Sequence, residues 1–334
     1  MSDYFSSGSG NSLLKVGLVG TGYAAKLRAE TLQKDQRTQL VAVVGNTVEK
    51  TAEFSRTYQA EAIASVAELV QKDIDIVIVA SINSEHGAIA HTALEHGKHV
   101  IVEYPLSLDV QAAEELIALA KAQNKLLHVE HIELLGGLHQ ALQRNLAQIG
   151  TPFYARYSTL NSQYPAPRKW TYNQDLFGFP ISGALSRLHR LTNLFGTVDT
   201  VSCQNRYWGA DKEYYQACLC TTQLKFTSGL VAEVVYGKGE TIWQDERKFT
   251  VDGEKGGLVF DKEEGILTNS EGKTPIEVGT RKGLFAKDTD MVLNHLLNGD
   301  DLYVSASDSL YALKVADAAR RSAATGQTVS LECS

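Results

Sequence analysis

The run Leu14-Lys15-Val16-Gly17-Leu18-Val19-Gly20-Thr21-Gly22-Tyr23-Ala24-Ala25 decides the fold. Residues 14–20 form a short apolar stretch with the length of a buried strand, and residues 23–34 follow with helical character. Between them lies Gly20-x-Gly22-x-x-Ala25. In that context the first glycine makes a tight turn and the second lets the backbone approach a pyrophosphate. The alanine lets the helix sit close on the sheet. The helix start then turns unpaired N–H groups and a positive dipole end toward phosphate. Gly20, Thr21, Gly22, Tyr23 and Ala24 are therefore expected to cradle a dinucleotide. A glycine-rich turn without a ligand is the competing account, and the order strand, turn, helix argues against it.

Outward from this turn the pattern repeats. Residues 39–44, 74–80, 100–102 and 126–130 read as strands, and residues 47–58, 84–97 and 108–123 as helices, the first opened by a threonine cap. Strand and helix in alternation predict an α/β arrangement, a Rossmann doubly wound parallel sheet over residues 13–130. Past residue 150 the texture changes. Segments 153–160, 200–207, 217–226, 229–237, 248–252 and 257–260 alternate or run β-branched between turn residues. They predict an α+β domain with a large, mainly antiparallel sheet over residues 131–334, a last helix at about 305–324 packing back. A chain of 334 residues exceeds one comfortable core, which agrees with two domains.

Composition narrows the class. Hydrophobic residues make up 43% and charged residues 21%, and no apolar run reaches membrane-spanning length. A net charge of −7 argues against nucleic acid as a partner. Cys203, Cys218, Cys220 and Cys333 lack paired metal spacing, so no metal site is expected and the thiols read as reduced, in a cytoplasm. Residues 1–12 have no signal-peptide order and read as a flexible leader.

The end of the second strand selects the cofactor. An NAD site usually carries an acid there for the ribose hydroxyl. Here Val44-Gly45-Asn46-Thr47 offers no carboxylate before Glu49. A carboxylate beside a 2′-phosphate would cost on the order of 4 kcal/mol at close range. Its absence, with Asn46 and Thr47 as donors, favours NADPH; loss of the acid with both cofactors accepted is the alternative.

Gly97-Lys98-His99-Val100-Ile101-Val102-Glu103-Tyr104-Pro105 resembles the second signature of the glucose-fructose oxidoreductase/inositol dehydrogenase superfamily, which ends in Glu-Lys-Pro. The resemblance implies that Tyr104 stands where a lysine serves carbinol oxidation, and a phenol with a pKa of about 10 is a poorer base at neutral pH. Ser81-Ile82-Asn83-Ser84-Glu85-His86 is similar to the superfamily's Thr-Pro-Asn-x-x-His. It implies that Ser81, Asn83 and His86 serve the cofactor with Glu103. Asn83 is expected to cap the next helix, with His86 one turn in. Pro105 resembles a proline that follows a cis peptide bond.

Ser182-Gly183-Ala184-Leu185-Ser186-Arg187-Leu188-His189-Arg190-Leu191 matches the stretch that supplies an aspartate and a histidine to sugar-oxidising relatives. Without gaps, Arg187 replaces the aspartate and Leu191 the histidine, so hydroxyl oxidation has no base left. Residues 151–190 instead gather Arg156, Arg168, Lys169, Arg187 and Arg190 against the single acid Asp175. Tyr154, Tyr157, Tyr164, Trp170, Tyr172, Phe177 and Phe179 accompany them. Aromatic walls with guanidinium groups suit a flat, apolar ligand bearing carboxylates. Core aromatics with solvated cations are the bland alternative.

Glu103-Tyr104-Pro105-Leu106 and residues 126–137, 165–172, 184–187, 236–240 and 281–285 together resemble the cyanobacterial biliverdin reductases, a branch of that superfamily. The resemblance implies an oxidoreductase acting on a CH–CH group, with NADPH delivering hydride to the C10 methine bridge of biliverdin to give bilirubin. It further implies that Arg187 controls the accompanying proton, by electrostatic stabilisation or by holding a water or propionate, and that Tyr104 orients the bilin. His128, His131, Arg168 and Arg190 are then candidate bilin contacts, and Trp170 stands with the cofactor residues. Two other readings stay open: an oxidoreductase for another conjugated or carbonyl substrate, and a non-catalytic NADP-bound sensor.

Overall fold

A computed structural model describes residues 13–209 and 213–331; the expected leader and Cys333 lie outside them. The chain divides into two compact units. The first runs to Ile132 and takes back Gly283–Leu310. Its strands are β1 (Leu14–Val19), β2 (Thr38–Val44), β3 (Glu61–Ala62), β4 (Ile76–Val79), β5 (His99–Val102) and β6 (Leu127–Val129). All pair in parallel, in the order β3-β2-β1-β4-β5-β6. The order reverses at β1, which has β2 on one side and β4 on the other, and ligands of such sheets bind beyond the carboxyl ends at that point. Helices cover the sheet, so Ile76-Val77-Ile78-Val79 is buried on both faces and reads as an unbroken apolar run.

Side-chain caps set several helix starts. Thr47 accepts the Lys50 amide at 3.2 Å to open Val48–Tyr58, and Asp109 accepts that of Ala112 at 2.8 Å to open Val110–Ala122. The returning helix Leu284–Asn298 adds Val292 and Leu293 to a core built on Val16, Leu18, Ala25, Ala29 and Leu32. From sequence this segment falls with residues 131–334; its apolar stripe packs it with the first unit instead.

The second unit comprises Glu133–Lys282 and the chain from Tyr311. Its strands are β7 (Pro152–Ser162), β8 (Val198–Trp208), β9 (Ala217–Phe226), β10 (Val231–Gly239), β11 (Glu246–Gly253), β12 (Gly256–Asp261), β13 (Glu264–Asn269), β14 (Gly272–Ile276) and β15 (Val329–Ser330). They form one sheet in the order β14-β13-β12-β11-β7-β10-β9-β8-β15. Only the β7–β10 pair is parallel. The helix Ala306–Thr325 enters this unit at Tyr311 and packs along β8. Tyr311 accepts the Val198 amide at 2.7 Å, and Ser322 that of Cys203 at 2.9 Å. No helix among the described residues is long and apolar enough to cross a membrane.

Candidate functional site

The glycine turn leaves β1 at the reversal point of the sheet. Gly20 has φ 123°, and a Cβ there would stand 2.2 Å from the Ala80 carbonyl oxygen, so only glycine fits. Gly22 faces the other way, with nothing within 4 Å of a notional Cβ. It caps the helix Tyr23–Lys34 with no side-chain hydrogen bond, and no acid occupies the first turn. The first helical N–H groups therefore open onto free space with a positive dipole end behind them, which fits a pyrophosphate. Tyr23 is 77% exposed and stands edge-on to Phe285. At the end of β2, Asn46 and Thr47 are exposed, and with no acid there the donor set suits a 2′-phosphate.

Ser81 follows β4, Glu103 follows β5 and Glu130 follows β6, which brings all three to the carboxyl edge that carries Gly20. The Tyr104–Pro105 peptide is cis. Asn83 does not cap the α-helix: it is buried inside a 3-10 turn, Asn83–Glu85, and His86 begins the helix rather than lying one turn in. The extra tight turn takes up the residues that a direct cap would have used. His86 is buried, its Nδ1 2.8 Å from the Pro105 carbonyl and its Nε2 3.3 Å from that of Ser81. Burial lowers its pKa. With both ring nitrogens facing backbone, His86 is a positioning residue that ties the Ser81 loop to the Tyr104–Pro105 turn.

Beneath this turn lies a charge network that the sequence reading does not anticipate. Arg28 is fully buried on the helix Tyr23–Lys34. Its Nε and Nη2 donate to Glu103 Oε1 at 3.1 and 3.0 Å. Its Nη1 donates to Asp288 and to Thr289 Oγ1, the latter at 2.8 Å, while the Phe285 ring covers the guanidinium at 5.1 Å. Asp288 also accepts from Tyr303 Oη at 2.6 Å and meets His128 Nε2 at 2.8 Å. Burial pushes the Asp288 carboxyl up, but Arg28 and then His128 outweigh it and hold it below its ordinary range. Burial works against the Arg28 charge too, and Asp288 and Glu103 more than offset that.

Glu130 completes the network as a neutral acid. Its burial, and then the Glu103 and Asp288 charges, raise its pKa well above the usual value, so it stays protonated and hydrogen-bonds to Glu103. Its Oε1 accepts the Ile132 amide at 2.5 Å. His128 and His131, candidate bilin contacts by sequence, are buried here. His128 serves Asp288. His131 contacts Ser309 Oγ through Nε2 at 2.8 Å and stacks on the Tyr104 ring at 5.4 Å, so it supports Tyr104 from below. A signal for Arg28 and Asp288 exists: each is a charge inside an apolar helical stripe, Ala25/Arg28/Ala29/Leu32 and Leu284/Asp288/Val292.

In the second unit the helix Ser186–Phe195 carries both candidate arginines. Arg187, half-buried, donates from Nη1 to Ser186 Oγ at 3.0 Å and lies 5.7 Å from the Tyr236 ring centre. Arg190 is 1% exposed, bonded to Glu133 and set over the Tyr157 ring. That geometry makes it a structural ion pair rather than a bilin contact. Glu133 also binds Arg281 and Arg247. Burial raises its pKa, but Arg190, Arg281 and Arg247 overcome this and bring it to about 2. Trp170 tilts against Phe177 at 5.9 Å, and the exposed Arg168 lies over the Tyr214 ring at 4.6 Å and 3.8 Å from Glu213.

Residues 14–131 match the NAD-binding Rossmann fold of the GFO/IDH/MocA oxidoreductase family, and residues 144–331 match its C-terminal alpha/beta domain. The chain belongs to that family. It is an NAD(P)-dependent oxidoreductase. Its architecture is similar to that of biliverdin reductase from Synechocystis sp. PCC 6803, solved in complex with biliverdin and NADP+. The two are 50% identical with a TM-score of 0.91, over 93% of this chain and 99% of that one. Biliverdin reductase A of Mus musculus is 26% identical over 91% of this chain and 94% of its own length. Aldose-aldose oxidoreductase from Caulobacter crescentus shares the fold at 22% identity and a TM-score of 0.83, over 96% of this chain and 100% of that one.

Proposed function

We propose that the chain is an NADPH-dependent biliverdin reductase that reduces the C10 methine bridge of biliverdin to give bilirubin, an oxidoreductase acting on a CH–CH group in the cytoplasm. The observation that carries this reading is the half-identity, along nearly the whole chain, to a biliverdin reductase solved with biliverdin and NADP+. The lost sugar-oxidising lysine, aspartate and histidine agree with it, as do the buried free thiols Cys203, Cys218 and Cys220 with a reducing compartment.

NADPH, when bound, supplies the hydride. Residues 13–130 would hold it: Gly20, Thr21, Gly22, Tyr23 and Ala24 at the pyrophosphate, Asn46 and Thr47 at the 2′-phosphate, and Ser81, Asn83 and Glu103 along the strand ends. Trp170, tilted against Phe177, would join the cofactor residues. Tyr104, held by the His131 stack, would orient the bilin and donate a hydrogen bond. Arg168, exposed, suits a propionate. Arg187 would stabilise the electron-rich bilin as a pyrrole nitrogen gains its proton, or hold the water that donates it; a guanidinium is too weak an acid to donate readily itself.

The test is direct. Mixing the protein with NADPH and biliverdin should turn blue-green verdin into yellow rubin, and no colour change despite NADPH binding would leave the sensor reading in its place. Arg187→Ala should keep NADPH and biliverdin binding yet lose about 10²–10³ in kcat, with Arg187→Lys a partial rescue. Near-wild-type single turnover by Arg187→Ala would remove that residue from the mechanism.

A further inference from the structure

Lys238 has no place in the scheme above, yet it is the least ordinary cation in the second unit. It sits in β10, opposite Cys218 of β9, and is 7% exposed. Its Nζ donates to the Thr171 carbonyl. Four aromatic rings enclose it, with centres at 4.0 Å (Phe177), 4.7 Å (Tyr172), 5.6 Å (Tyr215) and 5.8 Å (Tyr236). Among the described residues no carboxylate forms an ion pair with it. A buried ammonium held only by ring faces and one carbonyl is a poor way to stabilise a strand, because the charge is desolvated without a counter-ion. A Met of the same length would pack there at lower cost.

The geometry connects this group to Arg187. Tyr236, buried in the same strand, has the Lys238 ammonium 5.8 Å from its centre and the Arg187 guanidinium 5.7 Å from it. We propose that Lys238 is a titrating positioning residue for Arg187: its charge, shared across the Tyr236 ring, adds to the field in which Arg187 meets the reduced bilin, and turnover falls when Lys238 loses its proton. This rests on the biliverdin reductase reading for its kinetic consequence. The groups facing Lys238 are Thr171 and Tyr172 from one turn, Phe177 from the next, Tyr215 and Cys218 along β9, Tyr236 in its own strand and Arg187 from the helix. Burial lowers its pKa, with Cys218 opposing and Arg187 adding to the fall, and brings it to about 8. The proton is therefore held below that pH and lost above it.

The experiment is kcat against pH from 6 to 10, at saturating NADPH and biliverdin, for wild type, Lys238→Met and Lys238→Arg. Wild type should lose about tenfold per pH unit above the Lys238 pKa. Lys238→Met should have a lower kcat, flat across the range, with KM for biliverdin within about twofold of wild type. Lys238→Arg should keep the low-pH rate and show no fall up to pH 10, because a guanidinium stays charged. An alkaline fall that survives in Lys238→Met, or wild-type kcat in that variant, would overturn the proposal. Should wild type leave biliverdin untouched, the activity assignment fails, and a second measurement still decides the coupling. The Lys238 side-chain titration, followed by NMR in lysine-labelled protein and assigned by its loss in Lys238→Met, should move to higher pH in Arg187→Met. No movement would refute it.

Discussion

Replacing Arg28 by Met tests whether the buried network governs the stability of the first unit. Arg28 and Asp288 have no exposed side-chain surface, and Glu103 has 13%. Removing the guanidinium leaves two carboxylates, Asp288 wholly buried and Glu103 nearly so, facing a neutral Glu130. Breaking a buried pair in this way costs about 3–5 kcal/mol, against roughly 0–1 kcal/mol for a surface pair. Arg37–Asp290, at 33% and 56% side-chain exposure, supplies the surface control within the same unit. At roughly 2–4 °C per kcal/mol for a unit of this size, Arg28→Met should lower the melting temperature by about 6–20 °C, and Asp290→Asn by no more than about 4 °C. Calorimetry with NADPH absent gives both numbers. The double variant Arg28→Met/Asp288→Asn should recover part of the loss, since it removes an orphaned charge with its former partner. A single variant melting within about 2 °C of wild type would show that the network is not what holds the returning segment.

Two further outcomes follow from groups whose protonation changes on folding. Glu130 is held neutral in the fold while an exposed glutamate ionises near 4.5; its raised pKa therefore favours folding at acid pH, and that contribution is lost as pH rises. Glu130→Gln keeps the Ile132 and Glu103 hydrogen bonds without a titrating proton, so it should match wild type near pH 4 and exceed it in melting temperature at pH 8, and equal shifts at both pH values would refute this. His139, buried with Nε2 2.8 Å from Asn193 Oδ1 and no described partner at Nδ1, is lowered from 6.5 to about 4 by burial and then by Arg190. The unfolded chain takes up that proton first, so stability should fall by up to about 3 kcal/mol as pH drops from 6.5 to 4. His139→Gln should reduce the slope in that window, leaving the shares of His86 and His99, which burial also lowers, and the loss from Glu133 between its ordinary 4.5 and about 2; an unchanged slope in melting experiments would count against His139.

Most of the first unit is legible in the sequence because parallel strands buried on both faces are written as apolar runs such as Ile76–Val79, and because helix starts carry their caps, as Thr47 does. The six strands expected in the second unit are β7 to β12, of which β9 has the clearest alternating burial. The strands β13, β14 and β15 escape notice for a physical reason. They lie toward the sheet edges, are short, and face mostly solvent, with Pro275 tolerated in the edge strand β14. Residues 283–310 are harder still, since the pairing of Arg28 with Asp288 spans 260 positions and has no local period.

Charge inside an apolar stripe is the one local mark such pairings leave, and it separates the two arginines that the sequence places side by side. An arginine within the buried face of a helix needs its carboxylate from the protein, because no solvent or ligand can reach it. Arg28 finds Glu103 and Asp288, and Arg190 finds Glu133. Arg187 is the residue that breaks the otherwise buried run from Ser186 to Thr192. Its guanidinium lies 5.7 Å from the Tyr236 ring centre, and the Lys238 ammonium lies 5.8 Å from the same centre. Arg190 is thus accounted for by a carboxylate inside the fold, while Arg187, half-buried beside Tyr236, is the arginine that our proposal assigns to the reaction.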